Sequence, residues 1–263
     1  VADGRRRTAS IELWLADPDW ALDDAFERSC LDLLSEGEAE RADRFIAMGA
    51  RREYLVGRTL VRRSLSRFAP VEPVAWSFEE NDHGRPAILE PEITRDLRFN
   101  LSHTRGLAAL GIVDAAELGV DVEAIDRKFD FLPIARRKFA PEEAARVVAA
   151  APASRRELFF RLWTLKEAFL KAKGIGLSLP LDKFSFDIDD GLITPTFHDP
   201  LTDRADGWHF ALFEVGTRHR LAVAVELPAE VDVELEVRWL EGPGARATVP
   251  WVPIARSANW PAF

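Results

Sequence analysis

The chain has 263 residues, 47% of them hydrophobic, enough to bury one large core or two small ones. Its formal charge of −9 weighs against broad attraction to nucleic acid or an acidic membrane. No run of about 18 apolar residues offers a transmembrane helix, and the single Cys30 excludes an internal disulfide or a cysteine-cluster zinc site.

The start, "VADGRRRTAS", is basic but has no apolar stretch behind it, so no secretory signal is expected and a cytoplasmic, soluble protein is the default. "SIELWLA" alternates like a strand. Residues 23–68 carry no proline and read as helices broken near Ser35 and Gly49. Between Arg41 and Arg67 lie eight arginines: Arg41, Arg44, Arg51, Arg52, Arg58, Arg62, Arg63 and Arg67. Arg44, Arg51, Arg58 and Arg62 recur at helical spacing, while Arg41, Arg52 and Arg63 form a second line. Such charge is ordinarily solvated surface; as a group it suits a polyanionic small molecule better than a long nucleic acid.

Strands are expected at "VAWSF", "LRFNL", "GLAALGIV" and "ELGVDVE". Helix dominates residues 141–173, with a break at Pro152. Strands return at "KFSFDI", "LITPTF", "GWHFALFEV", "HRLAVAVEL" and "VDVELEVRWL". "GLAALGIV" and "RLAVAVEL" echo one another, a faint sign of two similar halves. From Glu241 onward the Pro/Gly-punctuated chain reads as an appendage, with Trp251 and Trp260 lying against the body.

Four stretches carry chemistry. In "LGVDVE", Val120 and Val122 point one way and Asp121 and Glu123 the other, either as a wet strand face or as paired carboxylates aimed at a cation. In "ELFFRLWTLKEAFLKAKGIGLS", Trp163, Glu167 and Lys171 share one stripe of a helix that ends near Gly174; an exposed Glu–Lys pair there is worth only about 0.2–0.5 kcal/mol. Lysine is scarce, six of 35 basic residues, yet Lys166, Lys171 and Lys173 cluster here. "RFNLSHTRG" lets Ser102 and His103 leave a strand, and "NDHGRPAI" presents Arg85 beside Pro86 in a turn. Each stretch alone also has an ordinary reading.

Together, in this order, they resemble the 4′-phosphopantetheinyl transferases of the surfactin-type, two-lobed branch. The marks are Gly84-Arg85-Pro86, Phe99 to His103, Gly119 to Glu123, and Trp163 to Lys171, with the likeness running from about Arg41 to Leu181 and fading through the last strands. The resemblance implies an α+β fold of two similar lobes, residues 1–116 and 117–228, with the active site between them. Residues 229–263 would add a strand and a tail, and a fused chain of this kind can act as a monomer.

By the same resemblance the chain moves the phosphopantetheine arm of coenzyme A onto a serine of an acyl or peptidyl carrier protein, with Mg²⁺, and releases 3′,5′-ADP. Asp121, Glu123 and Glu167 would hold the metal, a hard ion that prefers oxygen. Glu167 would be a ligand or the acceptor of the serine proton, and Lys171 would steady the pyrophosphate. Arg41 and His103 would meet coenzyme A phosphates, His103 the 3′-phosphate; Arg52 is added to them from the arginine helix, not from the resemblance. Ser102 and the turn with Arg85 and Pro86 would border the adenine. Glu38, acidic where some relatives are basic, puts one further phosphate contact in doubt. The carrier would dock on Phe131, Leu132, Ile134, Arg136 and Arg137, unless that stretch is an ordinary amphipathic helix. Two other classes stay open: a metal nuclease, against which the acidic balance counts, and a non-catalytic coenzyme A- or carrier-binding module, against which the full set of acids counts.

Overall fold

Alternation in "TASIELWLA" builds strand β1 (Thr8–Ala16), whose two faces are both apolar: Ile11, Leu13 and Leu15 on one, Trp14 and Ala16 on the other. A strand buried on both faces needs cover on both sides. In the computed structural model, which describes residues 7–243 and 249–261, that cover is a helix on one side and a second sheet on the other. The basic start at residues 1–6 and part of the tail lie outside the described residues.

The first sheet has the order β11-β1-β5-β4, with β4 (Leu97–Thr104), β5 (Leu107–Asp114) and β11 (Asp232–Trp239). Helix α3 (Met48–Leu65) lies on it through Leu55, Val56, Leu60, Val61 and Leu65, all fully buried. Two short helices, α1 (Asp24–Leu31) and α2 (Glu36–Asp43), precede it. Ser35 and Glu38 form a reciprocal cap on α2, which explains the break near Ser35. A hairpin of β2 (Ser77–Glu80) and β3 (Pro86–Glu90) projects beside this sheet.

The second sheet has the order β6-β10-β9-β12-β8-β7. Its strands are β6 (Glu117–Ala124), β7 (Phe184–Asp189), β8 (Leu192–Phe197), β9 (Trp208–Val215), β10 (His219–Glu226) and β12 (Trp251–Ser257). Helix α6 (Pro152–Lys173) packs on it, capped by Gly174 in the left-handed conformation at φ 66°. Helices α4 (Leu132–Lys138) and α5 (Pro141–Ala149) lead into α6. The faces of the two sheets away from α3 and α6 share a third core, where Ile11, Leu13 and Leu15 meet Leu118, Val120, Val122, Leu221 and Val223. The echo between "GLAALGIV" and "RLAVAVEL" has a structural counterpart: β5 and β10 are each second from an edge, flanked by β4 and β1 or by β6 and β9. Among the described residues no helix is long and apolar enough to cross a membrane.

Two expectations change. The tail beyond Glu241 is no appendage: β12 inserts between β9 and β8, and Trp260 is buried at 2% exposure, although Trp251 is 38% exposed. Upstream of it, β11 runs parallel to β1 in the first sheet, so the C-terminal segment ties into both. The arginine line on α3 is also more internal than its spacing implies. Arg62 is 1% exposed and donates to Glu38 and to the carbonyls of Pro73 and Trp76. Arg58 also donates to Glu38, at 2.6 Å, and Arg51 pairs with Glu27. These arginines hold α1, α2 and the β2 approach onto α3, because a guanidinium removed from water must find acceptors.

Candidate functional site

Edge strands β4 and β6 bring the two sheets together through side chains. Asn100 Oδ1 accepts from Val120 N at 2.9 Å, and Ser102 Oγ accepts from Val122 N at 3.1 Å. Asn100 and Ser102, two apart on β4, thus continue the ladder where backbone pairing stops. Their partners on β6 place Asp121 between them at the seam.

Alternation along β6 sends Leu118, Val120 and Val122 into the shared core and Gly119, Asp121 and Glu123 toward α6. Gly119 is required there, since a Cβ would overlap Ala168 O and Ala172 N on the helix. This close approach sets Lys171 Nζ on Asp121 Oδ1 at 2.6 Å and on Ser102 Oγ at 2.8 Å. Ser102 Oγ in turn lies 3.1 Å from the same Asp121 oxygen. Asp121 is buried at 4% exposure, and its second oxygen, Oδ2, has no hydrogen-bond partner.

Glu167, one turn before Lys171, makes no hydrogen bond or ion pair among the described residues. Burial first, then the charge of Asp121, push its carboxyl up to about 7; Lys171 pulls the other way and Glu123 adds to the rise. Glu123 is likewise raised, by burial and then by Asp121. Unlike its neighbours it is fully engaged: Trp163 Nε1 donates to Oε1 at 3.0 Å and Arg127 Nη1 to Oε2 at 2.8 Å. Among the described residues no three His, Cys, Asp or Glu side chains already form a metal-holding group. The charge of Asp121 acts on both Glu123 and Glu167, and one buried oxygen of Asp121 is without a partner among the described residues; this oxygen-only donor set fits a hard divalent cation.

The remaining residues of interest divide. His103, 46% exposed in its side chain, stands at the end of β4 with Nδ1 3.1 Å from Glu53 Oε2. Arg52 Nη2 lies 3.4 Å from Asp19 and Arg41 Nη1 3.7 Å from Glu80. Arg85 reaches across to the second lobe, pairing with Glu117 and donating to Ala172 O at 2.9 Å. With Pro86 it borders a cleft of about 600 Å³ that also touches Glu117 and Gly174 and lies beside, rather than over, the carboxylates. The hydroxyl of Ser102, expected to border the adenine, is engaged by Asp121, Val122 and Lys171, and the residue is 5% exposed.

Only Lys171 of the three clustered lysines faces the carboxylates. Lys166 is fully buried on Glu143 at 2.7 Å and on two carbonyls, and Lys173 pairs with Asp203. Sequence reasoning misses Glu53, Trp163 and Arg127 as partners of site residues, and Asn100 as a seam residue. For Asn100 a signal exists: it alternates with apolar Phe99 and Leu101 and shares a strand face with Ser102. On α4, Arg136, Arg137 and Lys138 are exposed and without an acidic partner among the described residues, while Phe131, Leu132 and Ile134 are half-buried against the second-lobe core. Between α4 and the segment after α6 lies a groove of about 510 Å³ lined by Ile134, Arg137, Trp163 and Leu179 among others.

The chain matches two family patterns. One is described as the 4′-phosphopantetheinyl transferase superfamily, over residues 117–224; the other as the N-terminal part of 4′-phosphopantetheinyl transferase, over 19–113. It is 32% identical over 199 residues to a 4′-phosphopantetheinyl transferase of Bacillus subtilis, spanning 74% of this chain and 83% of that protein. To the 4′-phosphopantetheinyl transferase Sfp of Bacillus subtilis strain 168 it is 30% identical over 202 residues, spanning 75% and 84%. A solved holo-[acyl-carrier-protein] synthase from Thermotoga maritima overlaps 43% of this chain and 63% of its own, at 24% identity and a TM-score of 0.35.

Proposed function

The chain belongs to the 4′-phosphopantetheinyl transferases, enzymes that place phosphopantetheine on carrier proteins, and we propose that it draws the group from coenzyme A, with Mg²⁺, and releases 3′,5′-ADP. One observation carries this reading: at the seam between the sheets, Asp121 holds Lys171 through Oδ1 and acts electrostatically on Glu167, while its Oδ2 and the Glu167 carboxylate have no partner among the described residues. A transferase of this kind must gather positive charge on a pyrophosphate and offer a proton acceptor to a serine, and this cluster supplies both.

Asp121 and Glu167 would hold the metal, joined by Glu123 once it leaves Arg127. A Mg²⁺ ion held there would supply positive charge for a pyrophosphate. Lys171 has the reach to trade Asp121 for a pyrophosphate oxygen. Glu167, whose carboxyl sits near neutrality, can take the serine proton as the hydroxyl attacks. His103, Arg52 and Arg41 would meet the phosphates, and Arg85 with Pro86 the adenine side of the neighbouring cleft. The carrier would dock on α4. We take residues 1–116 and 117–228 as the two lobes and a monomer as the working unit, since Ser102 and Asp121 meet within one chain.

The test is incubation with coenzyme A, Mg²⁺ and a panel of apo carrier proteins, read by intact mass. The expected result is one added phosphopantetheine on at least one carrier, abolished by a chelator. No addition across fatty-acid, polyketide and peptide-synthase carriers would sink the reading.

A further inference from the structure

Each cation assigned above to a coenzyme A phosphate already has a carboxylate near it, but the three pairs differ in strength. Arg41 and Glu80 are 62% and 58% exposed in their side chains and 3.7 Å apart, so water screens them and a phosphate can replace the acid. Arg52 and Asp19, at 3.4 Å, have an acid that is 49% exposed. Glu53 is only 21% exposed in its side chain, stands in the second turn of the chain's arginine-rich helix, and lies within hydrogen-bond distance of His103 at 3.1 Å. A phosphate monoester meeting this imidazole would meet a fixed negative charge with it, partly shielded from solvent. The reacting pyrophosphate is served elsewhere, by Lys171 at Asp121 and Ser102. Repulsion from Glu53 therefore falls on a 3′-phosphate and spares the chemistry.

Resting on the coenzyme A reading of this cleft, we propose that Glu53 cancels the advantage of a 3′-phosphate, so that the chain uses 3′-dephospho-coenzyme A about as well as coenzyme A. In this further activity the carrier serine Oγ bonds to the phosphorus that bears pantetheine. The bond from that phosphorus to the bridging oxygen of the pyrophosphate breaks, and AMP leaves in place of 3′,5′-ADP. The serine proton goes to Glu167 and then to solvent. The opposite role for Glu53 is to orient the imidazole toward a phosphate. The two roles predict opposite responses to removing the charge.

The experiment measures initial rates of the full chain with Mg²⁺ and an apo carrier, varying each donor and separating AMP from 3′,5′-ADP, with donor Kd values measured in parallel. The native chain should show kcat/KM values for the two donors within about threefold of each other. Glu53→Gln should raise the ratio of coenzyme A to dephospho-coenzyme A about five- to tenfold, and Glu53→Asp should leave it near the native value. The Kd ratio should move the same way, which keeps the test open if a variant turns over poorly. A native preference for coenzyme A of about thirtyfold or more, or a ratio that stays put or falls in Glu53→Gln, overturns the proposal alone. If the native chain neither binds nor uses either donor, the coenzyme A reading falls and the proposal with it.

Discussion

Lys171 Nζ reaches Asp121 Oδ1 at 2.6 Å while Asp121 Oδ2, buried, accepts from nothing among the described residues. One oxygen of the carboxylate is thus held by the helix and the other is buried without a partner among the described residues. Asp121→Ala should cut transfer by about 10²-fold or more, because it removes the best-oriented acid at a site that works by charge. Folding should survive, since Lys171 keeps Ser102 as a partner. Turnover titrated with Mg²⁺ checks this: near-native activity of Asp121→Ala at low Mg²⁺ would remove Asp121 from the metal site.

Glu167 yields a stability prediction with a definite sign. Its carboxyl moves from 4.5 to about 7 on folding, so the folded state holds a proton that the unfolded state has lost within that interval. A raised carboxyl contributes stability at low pH and loses it as pH climbs from about 4.5 through about 7. At about 1.36 kcal/mol per pH unit the full effect is of order 3 kcal/mol. In chelator, Glu167→Gln should therefore gain stability over the native chain at pH 8 and lose that gain near pH 5. Denaturant melts at the two pH values decide it, and a gain that is the same at both would show that the shift is absent. Adding Mg²⁺ should stabilise the native chain more at pH 8 than near pH 5, and the Gln variant less at either pH.

The carboxylate strand and the lysine helix are legible in the sequence because their periods are clean. Alternation in "LGVDVE" sorts Val120 and Val122 from Asp121 and Glu123, and fourfold spacing sorts Glu167 and Lys171 onto one stripe. Partnership is not legible, because it depends on segments far apart in the chain. Arg62 looks like surface by spacing, yet Glu38 arrives from α2 to bury it. Ser102 follows a strand pattern that cannot reveal β6 lying alongside. Strand β12 escapes because Pro253 interrupts its pattern and its register with β9 shifts between Pro253 and Ala255. The acids that face His103 and Arg52, Glu53 and Asp19, were equally invisible: one is a helix neighbour of no obvious direction and the other comes from a separate turn.

Gly119 links fold to site. Because a Cβ there would run into backbone atoms of Ala168 and Ala172, neither of which can swing aside, Gly119→Ala should force α6 away from β6. Overpacking of this kind costs about 1–3 kcal/mol. The same displacement moves Lys171 and Glu167 from Asp121, so kcat should fall further than the loss of folded protein explains. Rates normalised to the folded fraction check this, and a variant with lower stability but native kcat per folded molecule would uncouple the glycine from the site.

The exposed basic trio on α4 sets the last prediction, which concerns the carrier protein. Across the described residues most arginines pair with an acid or a carbonyl, whereas Arg136, Arg137 and Lys138 point to solvent without one. Beside them, Ile134 and Arg137 line the groove of about 510 Å³ together with Trp163, and Trp163 donates to Glu123. An acidic partner helix with an apolar strip would find both a charge field and a groove here, close to the carboxylates, despite the chain's net charge of −9. Phe131 and Leu132 are half-buried against the second-lobe core, so part of the apolar side serves the fold and the basic side is the part free to steer. Arg136→Glu with Arg137→Glu should raise KM for apo carrier several-fold, leave KM for coenzyme A unchanged, and weaken the dependence of the association rate on salt. The defect should shrink with a less acidic carrier. A double variant that loses coenzyme A affinity, or that handles every carrier like the native chain, would place the docking surface elsewhere.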